Sequence, residues 1–245
     1  MLTREEKEQW KRQIAIPQFG EDAQFRLKKS TVAIFGVGGV GCAAALYLAA
    51  AGVGKLILVD KDDVSIENLN RQILYDRGDI GKPKAKVAAE RLQRLNPFIG
   101  IEILIKNVGT IDIIRIAEKS SFVIDAFDQH KSRLEVDAVC VRRGIVVAHG
   151  FAQDLSGEII VVEPNKTPCL SCVLDENFPE LSESSVLGVT AGLIGIQLST
   201  IAIKYLTGCG VVKSGYRLVW DLLLDQFLEL PLQRLATCPV CSCVQ

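Results

Sequence analysis

The stretch Thr31-Val-Ala-Ile-Phe-Gly-Val-Gly-Gly-Val-Gly41 decides the fold of this chain. Its first five residues are typical of a short buried strand, and the small apolar residues from Cys42 to Ala51 predict a helix directly after it. Between them, the glycines have the spacing Gly-x-Gly-x-x-Gly (Gly36, Gly38, Gly39 and Gly41). Side chains here would keep phosphates away from the backbone at the helix N-terminus. The stretch therefore predicts a nucleotide site, and the alternative is a tight glycine turn that holds no ligand.

Strands and helices alternate on both sides of this stretch. Such alternation predicts an α/β fold with a Rossmann-like, mostly parallel sheet and helices on both faces. After residue 150 the pattern changes, and we expect antiparallel strands to extend the sheet. The predicted strands are 31–35, 55–59, 99–105, 121–124, 145–148, 158–162, 217–220 and 227–230, and the predicted helices are 2–14, 20–29, 42–51, 82–95, 111–118 and 131–142.

The 245 residues contain no internal repeat and no low-complexity linker, so we expect one continuous domain over residues 1–245. It would comprise N-terminal helices (1–30), a nucleotide-binding half (31–150) and a second half (151–245). The net charge of −1 gives no basic field for nucleic acid or an anionic membrane. The first eight residues are strongly charged, which is not how a signal peptide begins. We expect a cytoplasmic protein.

One segment has the length of a membrane-spanning helix. Residues 184–203 contain no charge and include Gly188-x-x-x-Gly192. Four polar residues interrupt the run: Thr190, Gln197, Ser199 and Thr200. A helix that is apolar all round is also found in the core of a protein or in a subunit interface. A buried helix is therefore favoured over a membrane span.

Two Cys-x-x-Cys pairs lie 65 residues apart, Cys169 with Cys172 and Cys238 with Cys241. Four thiolates in this spacing are the ligand set that structural zinc prefers. The separation is too long for a compact zinc finger, so the ion would fasten the C-terminal end of the chain to a loop near its middle. Eight cysteines without an export signal also favour metal binding over disulfides. Cys243 is an alternative ligand to Cys241.

Polar residues follow the second predicted strand. Asp60 closes this strand 19 residues after Gly41, where a carboxylate can accept hydrogen bonds from ribose hydroxyls. The glycine spacing and Asp60 alone favour NAD. The segment after Asp60 is unlike that of a dehydrogenase, because it adds an arginine and two amides to the same edge of the sheet. The further nucleotide-binding candidates in this segment are Asp62, Asn68, Arg71 and Gln72.

Two further features favour a triphosphate over a dinucleotide. Lys84 lies near the start of the predicted helix 82–95, in Gly81-Lys-Pro-Lys84, and together with Arg71 it supplies the positive charge that a triphosphate needs. The alternative for this segment is a solvated basic turn. Two acids, Asp125 and Asp128, follow the fourth predicted strand, where a carboxylate fits either a Mg²⁺ ligand or the N-cap of the next helix. Both interpretations stay open at this point.

These motifs occur in a fixed order along the chain. They are Arg12-Gln13-Ile14, Gly-x-Gly-Gly-x-Gly over 36–41, Val-Asp-x-Asp-x-Val-x-x-x-Asn-Leu-x-Arg-Gln over 59–72, Gly-Lys-Pro-Lys over 81–84, Asp128 and the two cysteine pairs. The ordered set resembles the superfamily of ubiquitin-like protein activating enzymes, in particular the ThiF/MoeB type of bacterial adenylyltransferase (the HesA/MoeB/ThiF family). The resemblance covers residues from about 12 to 242, essentially the whole chain.

The resemblance implies a homodimer that binds Mg·ATP and the C-terminal Gly-Gly tail of a small ubiquitin-fold sulfur carrier, with residues 151–245 as the carrier-binding half. The carboxylate of the carrier attacks the α-phosphate and gives an acyl-adenylate and pyrophosphate. The implied roles are phosphate approach by Gly38 and Gly41, ribose binding by Asp60, charge neutralisation by Asn68, Arg71 and Lys84, magnesium positioning by Asp128, and an arginine finger in the neighbouring subunit's site by Arg12.

The chain departs from the pattern of this family in one important place. Many relatives have a cysteine shortly before a Val-Leu-Gly stretch, whereas the corresponding residues 181–188 contain none. We expect adenylation without a thioester at that position, with sulfur delivered by a sulfurtransferase or a cysteine desulfurase. Gln129 stands where an asparagine is common. Cys209 is expected to be an ordinary thiol, and the spacing of His130 and His149 assigns them no role.

Two other functions stay open from the sequence. The glycine spacing and Asp60 are compatible with an NAD-dependent oxidoreductase. A non-catalytic scaffold that binds a nucleotide or a peptide would also keep the fold and the zinc site. Exchange of pyrophosphate into ATP that depends on a carrier ending in Gly-Gly separates the adenylyltransferase from both alternatives.

Overall fold

The structure is a computed structural model that describes residues 1–174 and 185–242. Eight strands form one sheet in the order β3-β2-β1-β4-β5-β6-β7-β8. The strands from β3 to β5 pair in parallel, and those from β5 to β8 pair antiparallel, which confirms the predicted fold class. Their bounds are β1 Thr31–Phe35, β2 Lys55–Val59, β3 Gly100–Leu104, β4 Phe122–Asp125, β5 Val147–Gln153, β6 Ser156–Val162, β7 Tyr216–Asp221 and β8 Gln226–Pro231.

Helices cover both faces of the sheet. Alternating side chains of β1 point to opposite faces, so Val32 and Ile34 belong to one core and Ala33 and Phe35 to the other. Residues of α3, α4, α5 and α8 pack into the first core, and residues of α6 and α7 into the second. The helices are α1 Arg4–Gln9, α2 Lys11–Ile14, α3 Gly20–Lys29, α4 Gly39–Ala51, α5 Lys84–Leu95, α6 Thr110–Glu118, α7 His130–Arg143 and α8 Gly188–Thr207.

The order of the strands fixes where a ligand can bind. From β1 the chain moves outward to β2 and β3, and then crosses to β4 on the other side of β1. The carboxyl ends of β1 and β4 therefore flank the point where the direction of winding reverses, which is where open α/β sheets form their ligand crevice. The glycine turn (residues 36–41) follows β1, and Asp128 follows β4.

Most of the uncharged run 184–203 lies in the helix α8. This helix is long and apolar enough to cross a membrane, with a mean hydropathy of 1.4. One of its faces is buried: Ile194, Leu198 and Ala202 lie in the same core as α4. A Cβ at Gly195 would overlap the carbonyl oxygen of Val40, so glycine is what allows the two helices to approach closely. The face of α8 that packs against α4 is therefore buried inside the protein.

Most predicted boundaries differ from the structure by one to five residues, and two of the differences have a clear local cause. The predicted helix 2–14 is divided into α1 and α2 at Trp10, whose buried indole Nε1 donates a hydrogen bond to the carbonyl oxygen of Ala50 (3.0 Å). The helix predicted from residue 82 begins at Lys84. Proline disfavours helical geometry in the residue before it, and Lys82 precedes Pro83. The carbonyl of Lys82 instead accepts a hydrogen bond from the N–H of Val64 (2.9 Å).

Candidate nucleotide site and cysteine cluster

The three glycines of the Gly-x-Gly-x-x-Gly spacing have different surroundings. Gly36 has a φ of +89°, and a Cβ there would lie 2.6 Å from the carbonyl oxygen of Ala126. A Cβ at Gly41 would overlap the carbonyl oxygen of Gly36. At Gly38 the nearest atom to an added Cβ is Gln72 Nε2, at 3.7 Å. Gly36 thus makes the turn and Gly41 allows strand and helix to pack, whereas Gly38 borders open space into which a ligand fits.

The N-terminus of α4 points into this space. Gly38 is the N-cap, so the backbone N–H groups of Gly39, Val40 and Gly41 have no acceptor within the helix. Such groups, together with the helix dipole, bind anions. A Cβ at Gly39 would lie 3.3 Å from Arg71 Cγ and 2.9 Å from the Cβ of Ala191 on α8. The turn is therefore enclosed by the Arg71 side chain and the first turns of α8.

Asp60 is held rigidly at the carboxyl end of β2. Its Oδ2 accepts a hydrogen bond from the N–H of Val37 (2.7 Å), and its Oδ1 accepts one from the N–H of Asp62 (2.9 Å). Burial raises the pKa of the Asp60 carboxyl, and these two hydrogen bonds oppose the rise. The buried Lys84 lies close by, with Nζ 3.4 Å from Asp62 Oδ2. The two acids and the lysine thus lie together beside the glycine turn.

Asn68, Arg71 and Gln72 lie on a 3₁₀ turn (Ile66–Asn68) and the residues after it. Asn68 is buried and accepts a hydrogen bond from the N–H of Ser65 through Oδ1 (3.3 Å). Arg71 Nη1 donates to the carbonyl oxygen of Glu67 at 2.9 Å. Gln72 is 3% exposed, and its buried Oε1 has no hydrogen-bond partner among the described residues. Gln72 Nε2, the nearest atom to a Cβ added at Gly38, is a donor and is suited to a ligand that accepts a hydrogen bond there.

The structure brings all but one of the candidate nucleotide and catalytic residues to the same edge of the sheet. Asp128 is exposed and lies two residues after Ala126, which contacts Gly36. Arg12 is the exception. Its neighbour Gln13 donates a hydrogen bond from Nε2 to the carbonyl oxygen of Ala51 (3.0 Å), at the C-terminal end of α4. Since α4 has 13 residues, its two ends lie about 18 Å apart. Arg12 is thus remote from the glycine turn of its own chain.

Two residues that the sequence did not single out support the glycine turn. The hydroxyl of Tyr75 donates a hydrogen bond to the carbonyl oxygen of Val37 (2.8 Å), and the Cys42 thiol donates to the same oxygen (3.3 Å). Burial raises the pKa of Cys42 to about 12, so the thiol keeps its proton and its donor role. Tyr75 lies 38 residues from Val37 along the chain, so its contact leaves no spacing to recognise.

A third group that the sequence did not reveal is buried beneath the Asp128 turn. His149, on β5, lies between the carboxylates of Asp125 and Asp137, and none of the three side chains is exposed. Arg133 Nη1 lies 3.3 Å from Asp125 Oδ2, and its guanidinium stacks on the ring of Phe151 at 4.1 Å. Of the two acids at the end of β4, Asp125 is therefore buried and paired with His149 and Arg133, whereas Asp128 is exposed to solvent.

The four cysteines of the two Cys-x-x-Cys pairs form one cluster. The Sγ atoms are 3.4 Å apart for Cys169 and Cys238, 3.5 Å for Cys172 and Cys241, and 3.9 Å for Cys169 and Cys172. All four lie within 4.8 Å of one another. Tetrahedral zinc with Zn–S bonds of about 2.3 Å requires Sγ separations of about 3.8 Å. The cluster therefore fits zinc, and it includes Cys241, whereas Cys243 lies outside the described residues.

Known proteins resemble this chain over nearly its whole length. The model of the ThiF family matches residues 10–240. The chain is 34% identical over 250 residues to the sulfur carrier protein adenylyltransferase of Thermus thermophilus, covering 98% of this chain and 92% of that protein. It is 35% identical over 245 residues to the molybdopterin-synthase adenylyltransferase of Escherichia coli, with 98% of each covered. A crystal structure of E. coli MccB with ATP has the same fold, with a TM-score of 0.81 at 22% identity over 90% of this chain and 69% of that one.

Proposed function

The chain belongs to the ThiF family, and from this premise we propose that it adenylates the C-terminal Gly-Gly carboxylate of a small ubiquitin-like sulfur-carrier protein. The two relatives reported above are adenylyltransferases, and each aligns with 98% of this chain. One of them is named for its action on a sulfur carrier protein. The observation that supports the proposal best is the open space at Gly38, bordered by helix N–H groups, Arg71 and the amide nitrogen of Gln72.

Several features favour a nucleoside triphosphate over NAD at this site. The N-terminus of α4 is suited to either ligand, but the charge around it differs from what a dinucleotide needs. Lys84 is 6% exposed and lies next to Asp62, and Arg71 packs beside Gly39. Two fixed cations beside one anion-binding helix end stabilise the charge of a triphosphate and of the pyrophosphate that leaves it. The oxidoreductase interpretation is therefore not favoured.

The reaction needs no nucleophile from the enzyme. The carrier's carboxylate oxygen attacks the α-phosphorus of ATP, the bond from that phosphorus to the bridging oxygen breaks, and pyrophosphate leaves with the electron pair. The protein contributes position and charge: Asp60 holds the ribose, Gly38 and Gly41 contribute backbone N–H groups, and Asn68, Arg71, Gln72 and Lys84 bind the phosphates. Asp128, exposed at the end of β4, is suited to hold Mg²⁺, which would neutralise phosphate charge.

We propose that Arg12 acts in the site of a second subunit. It lies near the C-terminal end of α4, about 18 Å of helix away from Gly39. An arginine at that position reaches phosphates only if a neighbouring copy of the chain brings its α2 to this edge of the sheet. The active species is then a homodimer, in which each site takes Arg12 from the other subunit.

The zinc site has a structural role in this proposal. Four thiolates fill the coordination shell of zinc and leave no position for substrate. The cluster joins the loop after β6 to the segment after β8, and so closes the carrier-binding half on itself. The sulfur step after adenylation is assigned to a separate sulfurtransferase or cysteine desulfurase. None of the seven described cysteines forms a disulfide, which fits a reducing compartment such as the cytoplasm.

The proposal is tested by exchange of labelled pyrophosphate into ATP in the presence of a carrier that ends in Gly-Gly. Removing the side chain of Arg71, Lys84 or Asp128 deletes a charged contact, so we expect each alanine variant to lose at least about ten-fold in exchange. Arg94→Ala, which removes an exposed arginine on α5, is the matched control and keeps the wild-type rate. Full exchange by Arg71→Ala and Asp128→Ala would show that these site assignments are wrong. Tight NADH binding without ATP binding would overturn the adenylyltransferase itself.

A further inference from the structure

His149 lies between two carboxylates inside the protein. Its Nδ1 is 2.8 Å from Asp125 Oδ2 and its Nε2 is 3.1 Å from Asp137 Oδ1. A neutral imidazole donates from only one nitrogen, whereas the protonated ring donates from both. Two carboxylate acceptors therefore require the protonated ring. We call this Asp125–His149–Asp137 arrangement the bridge.

The charges around the bridge balance when His149 is protonated. Asp125 and Asp137 carry two negative charges, and Arg133 with His149 carries two positive ones. Burial alone lowers the pKa of His149, but the hydrogen bonds to Asp125 and Asp137 more than offset it and raise the pKa to about 9. The neighbouring Cys140 on α7 stays a neutral thiol, because burial raises its pKa far above the usual range. A balanced, hydrogen-bonded set is the form in which buried charges are tolerated.

One end of the bridge holds the turn that carries Asp128. Asp125 is the last residue of β4, and its Oδ1 accepts a hydrogen bond from the N–H of Phe127 (3.1 Å). Ala126, between them, contacts Gly36 in the glycine turn. The Asp125 side chain thus determines the course of the backbone from β4 to Asp128.

The other end of the bridge holds the cysteine cluster. Asp137 Oδ2 accepts a hydrogen bond from the backbone N–H of Leu170 (3.0 Å), inside the first cysteine pair. Leu170 and Cys169 are buried in the same core as Val136 and Cys140 of α7. A continuous series of hydrogen bonds therefore runs from the loop that holds Cys169 and Cys172 to the turn that ends at Asp128.

We infer that His149 is a positioning residue, whose bridge couples the cysteine cluster to the Asp125–Asp128 turn and so sets the place of the metal-holding carboxylate. The inference rests on the proposed function in one respect, the assignment of Asp128 to magnesium. Without the His149 ring, Arg133 is the remaining cation for the two buried carboxylates of Asp125 and Asp137, so one negative charge is left uncompensated. The Asp125–Asp128 turn and the loop of Cys169 and Cys172 then lose their common support. A zinc ion remote from the nucleotide would then influence how firmly Mg·ATP is held.

The test uses His149→Gln and Asp137→Asn in the zinc-loaded protein. Glutamine keeps much of the bulk of histidine but donates to only one carboxylate, and Asp137→Asn keeps the shape of the side chain without its charge. Cys140→Ala is the matched control, since it disturbs the same buried layer without touching the bridge. The first readout is the affinity for Mn²⁺·ATP, measured by the electron paramagnetic resonance of free Mn²⁺. The second readout is the rate at which a chelator removes zinc, which needs no nucleotide.

We expect both bridge variants to bind Mn²⁺·ATP about ten-fold more weakly and to release zinc about ten-fold faster than Cys140→Ala. Removing zinc from the wild type should weaken Mn²⁺·ATP binding by a similar factor and should have little further effect in His149→Gln, because coupling between sites is reciprocal. Bridge variants that match Cys140→Ala in both readouts would overturn the inference. If the wild type binds no Mn²⁺·ATP, the proposed function fails, and zinc release alone then decides whether the bridge supports the cluster.

Discussion

Replacement of Gly38 by alanine is predicted to separate nucleotide binding from folding. The added methyl group meets no described atom closer than Gln72 Nε2 at 3.7 Å, and the extended backbone there (φ −82°, ψ −150°) needs no positive φ. The free energy of unfolding should therefore change by no more than about 1 kcal/mol. The methyl group occupies the space where phosphates approach the N–H groups of α4. Loss of one charge-assisted hydrogen bond, about 1.5–3 kcal/mol, raises the Kd for ATP about 10- to 200-fold.

Gly41→Ala is the matched comparison, with the opposite expected result. Its methyl group overlaps the carbonyl oxygen of Gly36, so β1 and α4 must move apart, which lowers the free energy of unfolding by about 1–3 kcal/mol. The higher helix propensity of alanine offsets at most about 1 kcal/mol of this loss. Urea unfolding gives the stabilities, and titration calorimetry with a non-hydrolysable ATP analogue gives the affinities. Wild-type affinity in Gly38→Ala would refute the assignment of this space to phosphate. A loss of more than about 2 kcal/mol in Gly38→Ala would refute the packing argument.

Three further predictions concern the buried histidine, the subunit interface and the metal. Because the pKa of His149 rises from 6.5 to about 9, the protonated ring stabilises the fold fully below pH 6.5, and this contribution is lost as the pH rises through 9. Urea unfolding over this range should show that the wild type loses on the order of 3 kcal/mol more in free energy of unfolding than His149→Gln. Stabilities of the two proteins that fall in parallel with pH would contradict this prediction. Mixing the inactive Arg12→Ala and Asp128→Ala variants should restore about a quarter of the wild-type exchange activity, because half of the dimers are then mixed and each mixed dimer has one intact site of two. If exchange activity does not recover after subunit exchange has been verified, Arg12 does not act between subunits. Elemental analysis should find one zinc per chain, and chelation should lower the thermal midpoint of the nucleotide-free protein. A zinc content near zero in reduced protein would contradict the cluster's role.

The fold could be predicted from the sequence because its signals are local. The residues of β1 are apolar in succession, as is typical of a strand buried on both faces. The glycines that follow it have a spacing that is required by the turn itself. The Cys-x-x-Cys spacing likewise predicts a metal site, and the structure brings both cysteine pairs together. Each of these patterns extends over a few consecutive residues.

The bridge could not be predicted because its members are distant in sequence. His149 lies 24 residues from Asp125 and 12 from Asp137, and their contact depends on how β4, β5 and α7 pack. The two acids after β4 are equivalent by sequence, yet Asp125 is buried and Asp128 is exposed. The place of Arg12 at the far end of α4 likewise depends on tertiary packing.

Formation of the acyl-adenylate tests the central claim most directly. The chain, Mg·ATP and a small ubiquitin-fold carrier ending in Gly-Gly are mixed with inorganic pyrophosphatase, and the intact mass of the carrier is measured. A carrier that lacks its last glycine is the control, because the reacting carboxylate is then displaced by one residue. We predict that the full-length carrier gains the mass of an adenylyl group and that the shortened one does not. An unmodified full-length carrier, tested across the sulfur-carrier classes with ATP bound to the protein, would contradict the account.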